Sequence, residues 1–191
     1  SPKSYNNKYG VPLSLFNLNK NDDYGVLEIG MDKKGEIDYL SNIVKPDVSV
    51  ITNINYAHIK NFQNIKQIAL AKSEIISNTR SNGYVILNAD DSFFKFHSMI
   101  AKKRKLKVIS FGIKNNKAKI KFINIKKASR NYLISIKLNN LKKKFIISNN
   151  YSNNIYNILA SVAVMSIYIN TAKLSKTIFS NFKIPNGRGN L

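Results

Sequence analysis

Three side chains in the first half of this sequence have types and settings that suit metal chemistry. Glu28 interrupts the apolar run "VLEIG". A carboxylate in such a run costs free energy unless it is paired or binds a cation. His58, one of two histidines in the chain, follows the strand-like "DVSVITN". Fourteen residues later Lys72 stands in "IALAKSEII". Ile65, Ile68, Ala69, Ala71, Ile75 and Ile76 mark the apolar face of a helix, and Lys72 follows Ile68 by four positions, so its stem runs near that face. A desolvated lysine has a larger neutral fraction, and a neutral amine can add carbon dioxide to become a carbamate. The product is an oxygen-donor anion suited to a hard divalent ion such as magnesium. Each residue also has a plainer reading. Glu28 can be a strand-end glutamate that reaches solvent or pairs with a lysine, His58 an ordinary packed or surface histidine, and Lys72 a lysine that snorkels from its helix.

The elements that must position these groups alternate between strand and helix. "YGVLEIG" (24–30) and "DVSVITN" (47–53) read as buried strands, and "GEIDYLSNIV" (35–44) and "IKQIALAKSEIISNT" (65–79) as helices. "NGYVILNADD" gives a turn, a strand and a polar strand end; "SFFKFHSMIAKKR" (92–104) is helical, and "KVISFG" (107–112) is a further strand. This alternation predicts an α/β fold, a mostly parallel sheet flanked by helices. Period-two alternation over 118–150 adds a small antiparallel meander at about 118–148. A long apolar helix (153–170) and a second one (173–182) follow, whereas residues 1–20 read as irregular with a short apolar segment. Ligands bind at the carboxyl ends of strands in open parallel sheets. Three polar groups fall there: Glu28 with Gly30; Asn53, Asn55 and His58; and Asn88, Asp90 and Asp91.

Composition sets the outer limits. Hydrophobic residues make up 43% of 191, enough for a packed core, and no apolar run approaches the length of a membrane span. No cysteine is present, which excludes disulfides and thiolate metal sites and fits a reducing, cytoplasmic setting. The net charge of +21 invites a nucleic-acid reading. Against it, the lysines are spread over the whole chain and travel with Asn and Ile, as AT-rich codons favour. Phe93, Phe94 and Phe96 could stack on bases, but their helical spacing suits a core. Positive charge on this scale attracts nucleotides and sugar phosphates in any case.

The motifs "VLEIG....GEI..L", "PDV..ITNI..AHI..F..I..IA.AKSEI", "VILNADD" and "NNIYNILA" occur in the order and rough spacing of the ATP-dependent Mur ligases. The chain therefore resembles the central ATP-binding domain of that family. The opening "SPKSYNNKYGVPLSL" resembles the segment that leads into the first strand of that domain. The resemblance implies a domain over 1–184 and a linker at 185–191. It implies that Glu28 ligates the magnesium bridging the ATP phosphates, and that His58 and a carbamylated Lys72 hold a second magnesium. Asn154 and Asn157 match a pair that contacts adenine, Arg188 matches an arginine near the nucleotide, and Asn6 and Asn7 match a pair close to the UDP-muramoyl substrate. The implied partners are ATP, UDP-N-acetylmuramoyl-tripeptide and D-alanyl-D-alanine, joined through an acyl phosphate.

The sequence departs from the family pattern in four places. Asp32 and Lys33 stand where the family has Asn-His, and Tyr151, Ser152 and Asn153 precede Asn154 where it has Gly-x-His. "FQN" replaces "FGS" at 62–64, and no G-x-x-G-K-[ST] phosphate loop occurs anywhere. The chain thus reads as a piece of a longer ligase that is inactive alone. Two other readings stay open: another amide ligase of the superfamily, either diamino-acid-adding or folylpolyglutamate synthetase, and a basic nucleic-acid-binding module, which predicts steeply salt-dependent binding.

Overall fold

The computed structural model describes residues 5–56, 61–148 and 154–182. Its elements run α1 (Gly10–Phe16), α2 (Glu36–Val44), β1 (Val48–Ile51), α3 (Ile65–Asn78), β2 (Tyr84–Asn88), α4 (Phe94–Lys103), β3 (Lys107–Gly112), β4 (Ile120–Ala128), β5 (Asn131–Leu138), β6 (Leu141–Ser148) and α5 (Ile155–Tyr168). The strands form one mostly parallel sheet in the order β1-β2-β3-β4-β5-β6. β3 pairs parallel with β4, and β4, β5 and β6 form the antiparallel meander. The expected α/β class and the meander are both present. The chain divides into two compact units: residues up to Val85 with Lys95–Val108, and Ile86–Phe94 with the residues from Ile109 onward.

In the first unit α2 and α3 pack against each other, and Ile37 and Leu40 of α2 and Ile68, Ala71 and Ile76 of α3 are all buried. The start of α3 is fixed by Asn64, whose side chain accepts from Gln67 N at 3.1 Å, and Gln67 Oε1 accepts from Gln63 N in return. This reciprocal cap satisfies helix-end N–H groups that would otherwise lack partners. The "FQN" departure thus supplies a good N-cap. Glu74, two residues beyond Lys72, caps the neighbouring helix: its carboxylate accepts from Gly35 N and Asp38 N, each at 3.0 Å. The second histidine is structural. His97 is 2% exposed, and its Nε2 lies 3.0 Å from the Ala69 carbonyl oxygen.

In the second unit Ile158, Leu159, Val162 and Ala163 of α5, which packs on β4, are buried, as are Ile134, Ile136, Leu138, Phe145 and Ile147 of the meander. Alternation along β5 and β6 sends these residues inward and their lysine neighbours outward.

Three sequence expectations change. "VPLSLF" is helical rather than irregular, because Asn7 Oδ1 accepts from Tyr9 N and Gly10 N and starts α1. Residues 24–30 lie outside the six described strands, and Val26 is 81% exposed. An apolar run becomes a buried strand only where neighbours cover it, and here they leave Val26 uncovered. Beyond Asn170 the chain makes one 3-10 turn (Thr171–Lys173) and then turns instead of an α-helix. There Ser175 Oγ accepts from Thr177 N, a local bond that competes with helix. Ile146 N also takes the Lys176 carbonyl at 2.7 Å, which ties the segment to β6.

Candidate functional site

In the first unit Lys72 is half-buried on α3 between the buried Ala71 and Ser73. Its Nζ donates to the Asn53 carbonyl oxygen at 2.9 Å. Asn53 lies two residues past the end of β1, so the amine is held at the carboxyl end of a sheet strand. Sequence spacing put Lys72 near the apolar face of its helix; its amine reaches a strand end, where ligands of such sheets bind.

Glu28 is exposed, and its Oε1 accepts from Asn6 Nδ2 at 3.3 Å. The Asn6 carbonyl oxygen also accepts from Gly30 N at 2.8 Å, so Asn6 grips the Glu28–Gly30 segment through both side chain and backbone. A Cβ at position 30 would come within 3.0 Å of Asn6 Cγ, so glycine is what permits the close approach. Asn7 behaves differently, since its carboxamide oxygen caps α1.

His58 and Arg188 lie outside the described residues. Among the described residues no three His, Cys, Asp or Glu side chains group as a metal cage. The donor chemistry of Glu28 and of a Lys72 carbamate is nevertheless right for magnesium, which prefers hard oxygens and takes few protein ligands.

In the second unit Asn154 and Asn157 stand at the start of α5, with Asn157 Nδ2 donating to Asn154 Oδ1 at 3.2 Å. Asn154 is the N-cap residue but makes no side-chain capping bond. Residues three apart on a helix share a face, so the two carboxamides form one polar edge. The buried face of the same helix anchors it through Ile158, Leu159 and Val162.

Asp90 departs from expectation. Read as a strand-end group that meets ligand, it bonds within the protein instead. Its Oδ1 accepts from Asn115 N at 2.6 Å, and its Oδ2 from Lys114 N at 2.9 Å, from Ile113 N and from the Tyr156 hydroxyl at 3.0 Å. Burial by itself raises the Asp90 carboxyl, but the N–H groups of Lys114, Ile113 and Asn115, with the Tyr156 hydroxyl, outweigh it and hold the group below its ordinary 3.8. Burial first, and then the bond to Asp90, push the Tyr156 hydroxyl up to about 12. The sequence hinted at Asp90 through "LNADD" but gave no sign of Tyr156, which sits between the two asparagines.

A carboxyl depressed by folding stabilises the folded state above its unfolded pKa, and that contribution is lost as pH falls through the folded value. We expect the stability advantage of wild type over Asp90→Asn to be steady above about pH 5 and to shrink at more acid pH. Urea midpoints of both proteins at pH 6 and pH 3 check this; an advantage that does not shrink at pH 3 contradicts it.

Residues 1–165 match the family described as Mur ligase middle domain. The UDP-N-acetylmuramoyl-tripeptide--D-alanyl-D-alanine ligase of Buchnera aphidicola from Acyrthosiphon pisum is 45% identical over 89 residues, covering 47% of this chain and 20% of that protein. The protein of the same name in Rickettsia prowazekii is 29% identical over 195 residues, covering 98% of this chain and 42% of that one. Among solved structures, the MurF ligase of Thermotoga maritima in complex with ADP superposes with a TM-score of 0.77 at 24% identity, covering 87% of this chain and 38% of that one. The chain spans less than half the length of the curated relatives it matches.

Proposed function

Because the chain belongs to the Mur ligase middle-domain family, we propose that it is the central nucleotide-binding domain of an ATP-dependent amide ligase of peptidoglycan precursor synthesis. Its substrates in this reading are ATP, UDP-N-acetylmuramoyl-tripeptide and D-alanyl-D-alanine, as the names of its relatives suggest. The observation that carries the reading is the Lys72 amine, held at 2.9 Å from the Asn53 carbonyl at the carboxyl end of β1, inside the segment that matches the family.

A carboxylate oxygen of the tripeptide attacks the γ-phosphorus of ATP, the bond to the β-phosphate oxygen breaks, and ADP leaves. The amine of D-alanyl-D-alanine then attacks the acyl carbon, loses a proton and expels phosphate. The first step brings two anions together, and magnesium, when bound, offsets that repulsion. Glu28, His58 and Lys72 as its carbamate are the residues that would hold it. They position charge and do no acid–base work. Asn154 and Asn157 bind the adenine, an assignment in keeping with the ADP held by the Thermotoga maritima protein. Arg188 serves the nucleotide from the 185–191 linker that follows the 1–184 domain, and Asn6 and Asn7 lie toward the UDP-muramoyl group. No helix among the described residues is long and apolar enough to cross a membrane, and we place the reaction in the cytoplasm, where ATP is supplied.

Phosphate release tests the reading. The full-length ligase carrying this segment is expected to release phosphate only when all three substrates are present. The 191 residues alone, which hold no G-x-x-G-K-[ST] loop, are expected to stay at blank. Turnover that accepts a free diamino acid or glutamate in place of D-alanyl-D-alanine would move the assignment to another ligase of the superfamily.

A further inference from the structure

Asp90 joins three pieces of the second unit at one carboxylate. It follows β2, it receives the backbone N–H groups of Ile113, Lys114 and Asn115 from the loop after β3, and it receives the Tyr156 hydroxyl from the first turn of α5. The junction is reinforced on every side. Asn115 Nδ2 donates to the Ala89 carbonyl at 3.1 Å, Asp90 N donates to Asn88 Oδ1 at 3.0 Å, and Lys121 Nζ donates to the Ile113 carbonyl at 2.7 Å. Gly112 leaves room for the carboxylate, since a Cβ there would come within 3.1 Å of Asp90 Oδ1.

Tyr156 stands between Asn154 and Asn157 in the chain. Successive helical residues are separated by about 100° of rotation, so Tyr156 points away from the edge shared by the two asparagines. Its bond to Asp90 therefore fixes the rotation of that turn without occupying the asparagine edge. A charge-assisted bond of this kind is stronger than a neutral one and directional.

We propose that Asp90 and Tyr156 are positioning residues for the nucleotide base, the hydroxyl-to-carboxylate bond setting the direction in which Asn154 and Asn157 present their carboxamides. The proposal rests on the reading that this asparagine pair contacts adenine. Asp90 reaches the base only through Tyr156 and the helix turn. Breaking the bond lets the turn rotate, which weakens base recognition and leaves the phosphoryl-transfer groups where they are.

The test uses the full-length ligase. Steady-state kinetics with ATP and with GTP, together with a thermal midpoint, are measured for wild type, Tyr156→Phe, Asp90→Asn, the double variant and Asn157→Ala. Tyr156→Phe and Asp90→Asn are each expected to raise KM for ATP about 5- to 10-fold, to keep kcat within about 2-fold, and to narrow the preference for ATP over GTP. The double variant is expected to be no worse than the poorer single one, because the two side chains act through one bond. Unchanged KM for ATP in Tyr156→Phe, with or without a lower midpoint, would reduce the pair to a structural staple and overturn the proposal. If Asp90→Asn fails to fold, Tyr156→Phe alone decides. If Asn157→Ala leaves KM for ATP unchanged, it is the adenine assignment that has failed, and the positioning role falls with it.

Discussion

Lys72→Ala in the full-length ligase is expected to lower turnover by about 10²- to 10³-fold, with part of the loss restored by a small carboxylate such as formate. The chain contains many lysines, but this one differs in setting. It rises from the α3 face that carries Ile68, Ala71 and Ile76, and its amine ends at a strand-end carbonyl. An ammonium in that place repels a magnesium ion, whereas a carbamate supplies oxygens to it. Alanine leaves a gap of about the size of the lost carboxylate and its stem, which a small free acid can enter. Lys72→Arg separates the two readings of this residue, because arginine keeps the positive charge and forms no carbamate. The expected result is an Arg variant as slow as the Ala variant, with a raised magnesium requirement in both. Near-wild-type turnover by Lys72→Arg would mean that a cation is what the site needs, and the carbamate assignment would be wrong.

Phe145→Ala is expected to cost about 3–5 kcal/mol of stability, the largest structural effect we predict. Phe145 is 0% exposed in the middle of β6, opposite Ile134 in the antiparallel register. Its ring meets Phe179 edge-on, with centroids 5.5 Å apart and planes at 77°. Such pairs contribute about 0.5–1.5 kcal/mol beyond burial. Removing the ring opens a cavity between β5, β6 and the turns after α5, a segment held to β6 by the bond between Ile146 N and the Lys176 carbonyl. Urea unfolding of wild type and variant measures the difference. A loss below about 1 kcal/mol would show that Phe179 and its neighbours collapse into the space.

Much of this architecture was legible in the sequence because period and punctuation agreed with the final packing. The end of β5 and the end of β6 alternate between buried and less buried positions, and the α3 face shows helical spacing that the fold then buries. Errors arose where local chemistry or coverage decided. The Asn7 carboxamide, which accepts from Tyr9 N and Gly10 N, turned an irregular segment into the entrance of α1. The Ser175 and Thr177 hydroxyls bonded one another and the backbone, and the expected last helix did not form. "VLEIG" carries the composition of an interior strand, yet Val26 stays exposed, because composition does not reveal what covers a segment. At the candidate site, Lys72 could be placed from helical spacing alone. The hold of Asn6 on Glu28 and the link from Asp90 to Tyr156 span 22 and 66 residues, separations that no local pattern encodes.

The converging amides of Ile113, Lys114 and Asn115 have a consequence for phosphate. Consecutive N–H groups pointing at one spot make an anion-binding cup, the kind of feature that would ordinarily receive an oxyanion from solution. Here the chain has stoppered that cup with its own Asp90 side chain. An oxyanion from solution would find no vacancy there and would meet a resident negative charge instead.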